Sequence, residues 1–398
     1  MDSALAPAAS SPSTSETAVR LAVVGVSLNA TCGVRDHAAL LAAQLEREGV
    51  GCSLHWLRRE QRSLAASHAE IGGWTRGLAA ELAAERPDAI LLHYSVFSYS
   101  HRGLPVFVPA ALAPLRRARV PVLAFMHELA YPFGPGGPRG VLWASSQRVA
   151  LRPLMALCAG AIVTADFRAS WLCSRRWLPR RRVLLAPVFA TIPPPSRPAR
   201  SRGLPAADGG PLLGIFGYSY ESAARTLVLD ALRELRERGV AARLTLLGAP
   251  GAASAAGEAW SAAARERGVA EQLSFSGSLP AQELSDALAG CDALVFADAS
   301  GPSSRKTTLA ASLASGAPLV AIDGPRAWRA LAREHAAEVV RPTPAALADA
   351  LADLLGDRAE RAALGARGRA FAEREMSLAA SAGAVRALLD EALSPRHG

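Results

Sequence analysis

Residues Gly301 to Thr308 read Gly-Pro-Ser-Ser-Arg-Lys-Thr-Thr, a turn between the apolar run DALVFA and the helical stretch TTLAASLASG. Ser303 and Ser304 are good N-cap residues, and a capped helix start presents free N–H groups and the positive end of its dipole. With Arg305 and Lys306 beside it and Thr307 and Thr308 completing the turn, such a start suits a phosphate or diphosphate. The GxxxxGK[ST] spacing of a Walker loop is absent. A plain capped helix with surface cations is the competing reading of the same residues.

A second chemical feature is charge. The chain carries a formal +9, and the segment from Arg139 to Arg202 holds twelve arginines against one acidic residue, Asp166. Its densest part, RRWLPRRR, places Arg175, Arg176, Arg180, Arg181 and Arg182 around Trp177. Arginines interleaved with tryptophan suit a phosphate-rich partner, an anionic membrane surface before nucleic acid, because no nucleic-acid module is recognisable around them. A solvated arginine face is the plainer alternative. The five cysteines are far apart and form no CxxC pair, which argues against a disulfide framework and a zinc site.

These groups must be positioned by a fold, and the chain has ample material for one. Its 398 residues are 50% hydrophobic and 20% charged, which predicts two or three domains with sizeable cores. The apolar run from Pro153 to Ala165 is too short to span a bilayer. Residues 1–18 are small and polar, without the basic start and apolar centre of a secretory signal, and read as a disordered tail on a cytoplasmic protein.

From residue 19 to 190, short, largely apolar runs (LAVVGVSL, GCSLHWL, DAILLHY, VPVLAFMH, AIVTA) alternate with helical patterns such as HAALLAAQLEREG. This predicts parallel βαβ units covered on both faces. Residues 191–210 are rich in Pro, Gly, Ser and Arg and mark a linker. The alternation restarts over 211–375 with PLLGIFGYS, ARLTLLG, QLSFSG, DALVFA and PLVAI. A helix over 376–398 has no strand after it and could cross back onto the first domain. The fold class is α/β: two Rossmann-like domains facing each other across a cleft.

The block LSFSGSLPAQELSDALAGCDALVFADAS…TTLAASLASGAPLVAID, with Ser315-Gly316-Ala317-Pro318-Leu319 closing its helix, resembles the second domain of GT-B-fold, family-four retaining glycosyltransferases. CGVRDHA at 32–38 and VPVLAFMHELAYP at 120–132 are similar to that family's first-strand loop and to a strand ending in an active-site histidine. The resemblance covers about residues 20–390. It implies transfer of a sugar from a nucleotide diphosphate sugar to an acceptor hydroxyl with retention, in glycan or glycolipid synthesis.

The same resemblance assigns roles. His127 would contact the sugar, and Arg305, Lys306 and Arg225 would meet the diphosphate. Gly33, Gly217, Ser278, Leu279, Ser303, Ser304, Thr307 and Thr308 would line the donor. Independently of the resemblance, the residues of HYSVFSYSHRG, with Tyr94, Ser95, Tyr99, His101 and Arg102, form a polar aromatic loop after a strand that suits an acceptor wall, ordinary loop packing being the alternative. With no Asp-x-Asp motif, no obligatory metal or other cofactor is expected.

Two departures stand out. The loop after Gly217 lacks the family's Arg–Lys pair, and the family's paired glutamates fall on Ser303 and Ala311. A non-catalytic nucleotide- or glycan-binding partner is therefore the alternative function, and a sugar-nucleotide epimerase is disfavoured by the carboxylate-poor site.

Overall fold

The computed structural model describes residues 19–28, 32–196, 210–218 and 221–394. The tail over 1–18 and most of the linker lie outside the described residues. In the first domain, strands β1 (Arg20–Ser27), β2 (Gly51–Arg58), β3 (Ala89–Ser95), β4 (Val122–Glu128), β5 (Cys158–Val163) and β6 (Arg182–Leu185) alternate with helices. These are α1 (Gly33–Arg47), α2 (Leu64–Glu85), α3 (Val108–Ala118), α4 (Gly137–Leu157) and α5 (Asp166–Cys173). The sheet order is β2-β1-β3-β4-β5-β6, every pairing parallel. β3 is buried along its whole length, as expected of a strand with helices on both faces.

The second domain holds β7 (Leu212–Phe216), β8 (Arg243–Leu247), β9 (Leu273–Gly277), β10 (Ala293–Phe296), β11 (Leu319–Ile322) and β12 (Glu338–Val340). Its helices are α6 (Ser222–Glu237), α7 (Ala255–Glu266), α8 (Ala281–Ala289), α9 (Thr307–Ala314), α10 (Arg329–Arg333), α11 (Pro344–Gly356) and α12 (Arg358–Glu375). The order β12-β11-β10-β7-β8-β9 is doubly wound, with its switch point between β7 and β10. The two parallel sheets form the GT-B arrangement that the sequence resemblance implies.

Two strands are absent from the sequence reading. β6 begins at the last arginine of the basic run and is four residues long, β12 is three residues long, and both are edge strands.

The final helix, α13 (Leu378–Leu393), returns to the first domain. Ala382, Val385, Leu388 and Leu389 belong to the same buried cluster as Leu41 and Leu45 of α1 and Ile162 of β5. Gly160 gives it room, since a Cβ there would sit 3.0 Å from the Leu388 side chain. Directly between the domains, the Ser304 hydroxyl donates to the Thr164 carbonyl at 2.9 Å, and the Val188 N–H donates to the Ser304 carbonyl at 3.0 Å.

Candidate active site

The strand ends of both sheets meet at a cleft of about 380 Å3 whose lining includes Glu128, Arg148, Phe167, Arg168, Trp171, Arg305 and Arg326. Each arginine arrives from a different element. Arg305 stands in the turn after β10, Arg326 in the loop after β11, Arg168 in the first turn of α5, and Arg148 on α4. Sheet topology alone brings them together.

Arg168 is buried, and it donates to the His127 carbonyl and, at 3.1 Å, to the Thr164 hydroxyl. Burial pushes its pKa down to about 10, with Arg305 and Arg326 adding to the fall and Glu128 opposing it. Phe167 lies between Arg168 and Arg326, whose guanidinium carbons stand 5.7 and 5.6 Å from its ring centre. Arg148 is held by the carbonyls of Tyr131 and Ala144 at 2.8 and 2.7 Å. Several like charges gathered around the single carboxylate of Glu128 leave the cleft with an excess of positive charge, which an anion relieves. Arg168, Arg326 and Phe167 were not singled out from sequence, since no local motif marks them.

The turn over 301–308 differs from its sequence reading. α9 starts only at Thr307, and Ser303 and Ser304 do not cap it. Both serines are buried; Ser303 accepts from the Arg305 N–H at 3.4 Å, and Ser304 joins the domains. Lys306 is not a free cation, because its ammonium pairs with Asp298 at 2.5 Å. Burial works to raise the Asp298 pKa, but hydrogen bonds from Lys306 and Ser300 outweigh it and leave the carboxylate below its ordinary range. Arg305 remains, lining the cleft.

Gly217 is placed against this turn. Its φ is +74°, and a Cβ there would stand 2.6 Å from the Thr308 methyl, so the loop after β7 closes on the start of α9 only with glycine. Thr307 is exposed. Arg225 stands on the first turn of α6, 3.3 Å from the Ser222 hydroxyl. Ser278 is exposed and Leu279 half-buried just beyond β9. At Gly33, which opens α1, a Cβ would meet nothing among the described residues. Ser303 and Ala311, where the family's glutamates would stand, are both buried, Ala311 in an apolar cluster.

The acceptor wall needs correction. Tyr94 and Tyr99 are 1% and 2% exposed and stack on each other in the core, because the chain turns back tightly after β3. Ser95 is buried and donates to Glu128 at 3.3 Å. Of that loop, only the half-buried His101 and the exposed Arg102 of the expected residues are available to a ligand.

His127 and Glu128 diverge at the end of β4. Glu128 lines the cleft, whereas His127 Nε2 meets His93 Nδ1 at 3.0 Å and its ring stacks on Phe125. Burial, then the neighbouring His37, His93 and Arg168, pushes the His127 pKa well below its ordinary value.

The basic segment divides into two groups. Arg181 is tied to the carbonyls of Cys158 and Ala156, and Arg182 pairs with Glu391 of α13. Arg175, Arg176 and Arg180 are exposed beside Trp177. Arg175 lies 5.1 Å above the Trp171 ring. Exposed Phe133, Val141, Leu142 and Val149, the last 72% exposed, add an apolar component on and before α4. No helix among the described residues is long and apolar enough to cross a membrane.

Comparison with known proteins agrees with this architecture. Residues 210–357 match the family described as Glycosyl transferases group 1. A glycosyltransferase from Rickettsia africae is similar at a TM-score of 0.71 and 11% identity, covering 96% of this chain and 100% of its own. Sucrose-phosphate synthase from Thermosynechococcus elongatus follows with 0.64 and 15% identity, covering 93% and 98%. Anabaena HepE, in complex with UDP and glucose, gives 0.61 and 13%, covering 93% and 99%. No curated protein matches the chain in sequence. The described residues thus have the fold of the GT-B glycosyltransferases in both domains. Its second domain carries the sequence pattern of their group 1 family.

Proposed function

We propose that the protein is a glycosyltransferase that moves a sugar from a nucleotide diphosphate sugar to an acceptor hydroxyl with retention. The observation that carries this reading is the convergence of Arg168, Arg305 and Arg326 in the interdomain cleft around Phe167. Negative charge grows on the departing diphosphate as the glycosidic bond breaks, and cations already fixed in the cleft stabilise it without reorganising. Three arginines take the place of the family's Arg–Lys pair, and no metal is needed at the diphosphate. Glu128 is the carboxylate of the cleft and would orient sugar or acceptor hydroxyls.

Thermal unfolding in UDP, GDP, ADP, dTDP and their sugars tests the reading. At about a hundred times Kd, a ligand stabilises the native state by roughly 2.7 kcal/mol. A shift with one nucleotide series that Arg326→Ala abolishes, and a product whose anomeric configuration by NMR equals that of the donor, are the expected results. Binding without turnover would instead establish the non-catalytic partner, the reading favoured by the buried Ser303 and Ala311. No shift with any nucleotide would overturn both.

The acceptor reading extends to the membrane. Arg175, Arg176 and Arg180 around Trp177, next to the apolar face of α4, suit the anionic headgroup region on the cytoplasmic side, where a lipid-linked acceptor would reside. Replacing these three arginines by Ser is expected to abolish co-sedimentation with vesicles containing phosphatidylglycerol. Replacing Arg181 and Arg182, which are engaged with the protein itself, should leave most of it.

A further inference from the structure

Beneath the cleft floor, where the first sheet switches direction between β1 and β3, three histidines converge from separate elements. His37 comes from α1, His93 from β3 and His127 from β4. One ring nitrogen of each lies within 4.8 Å of the others, and this is the group of metal-ligating type found among the described residues. His37 and His93 are 7% and 1% exposed. Neither ring nitrogen of His37 has a hydrogen-bond partner. Buried polar nitrogens without partners are uncommon and point to a missing ion or water.

We propose that His37, His93 and His127 bind a first-row divalent cation of the zinc type. Imidazole nitrogens are the ligands such ions favour, and three protein ligands with a fourth position for water or a hydroxyl is the pattern of open zinc sites. Tetrahedral zinc at its usual bond lengths sets ligand nitrogens about 3.3 Å apart. The His93–His127 pair, at 3.0 Å, is already close to that separation. His37 closes the remaining distance by turning its ring, and with no hydrogen bond to lose it is held by its stacking on Phe189 at 4.7 Å. His127 is the partly exposed member, so the ion and its fourth ligand enter from that side. The Arg168 guanidinium on the His127 carbonyl moderates the affinity. The ion would belong to the first domain, apart from the arginines that receive the diphosphate.

The test uses untagged, full-length protein stripped with chelator and titrated with Co2+ and Zn2+ without nucleotide, so its outcome is independent of the glycosyl-transfer reading. One cobalt per chain with intense visible bands of tetrahedral type, displaced by zinc, is expected. His37→Gln should weaken binding at least about tenfold. In case that variant folds poorly, the unsubstituted protein is also followed by 15N NMR, where zinc should shift the nitrogens of three imidazoles together. Absence of stoichiometric binding by the unsubstituted protein, equal affinity in folded His37→Gln, or binding that leaves these imidazole signals unmoved would each overturn the proposal.

Discussion

Arg305→Ala is expected to lower kcat/KM for sugar transfer about a hundredfold, the usual cost of removing one preorganised donor to developing negative charge. Lys306→Ala, one residue on, should cost less than about tenfold, because the lysine charge is already matched by Asp298. The contrast is the informative part. From sequence the two cations look equivalent, whereas in the structure one lines the cleft and the other closes its own turn. Steady-state rates of both variants, with nucleotide affinity measured separately, check it. Equal losses in the two would mean that the Lys306–Asp298 pair opens when donor binds.

Trp260→Ala is expected to destabilise the protein by about 3 to 5 kcal/mol, the range for deleting a large buried aromatic. Trp260 is fully buried on α7, and its indole N–H donates to the Tyr218 carbonyl at 2.9 Å. Tyr218 follows Gly217, and its own hydroxyl accepts from the Gly251 N–H and donates to the Gly248 carbonyl at 3.2 Å. One indole therefore fixes the loop after β7 and, through the tyrosine, the loop after β8. Trp260→Phe keeps most of the apolar volume but leaves a buried carbonyl without its donor, a loss of about 1 to 3 kcal/mol. Denaturant midpoints of the second domain should rank unsubstituted, Phe, Ala, and nucleotide affinity should fall in both variants.

The fold was legible because its central strands are continuous apolar runs separated by helical periods, a pattern that only two-sided burial explains. β6 and β12 escaped because they are only four and three residues long, and β6 is wedged between the arginines and Pro187. Within the site, Arg305 was legible from its turn. Arg168 and Arg326 were not, since one sits in the first turn of a short helix and the other in a loop, neither marked by a motif, and only strand order makes them neighbours. The serines were misread for a local reason: the backbone stays non-helical through Lys306, so the Ser303 hydroxyl serves its own turn and the Ser304 hydroxyl bonds across the seam between domains. Tyr94 and Tyr99 looked like a polar wall because alternation of polar and aromatic residues resembles a binding loop, whereas the turn folds both rings inward. His37 gave no sequence signal, being one buried position on an amphipathic helix.

The return of α13 to the first domain bears on how the chain is made. Leu388 and Leu389 complete a core whose members outside α13, from Leu21 to Ala186, leave the ribosome hundreds of residues earlier. Domains are commonly expected to fold in order of synthesis. Here the first domain must wait, its α1 and β5 surfaces uncovered, while the second is translated in full. A growing chain of this protein therefore exposes an apolar strip for most of its synthesis, and a chaperone that binds such strips would find it in nascent chains and lose it once α13 docks.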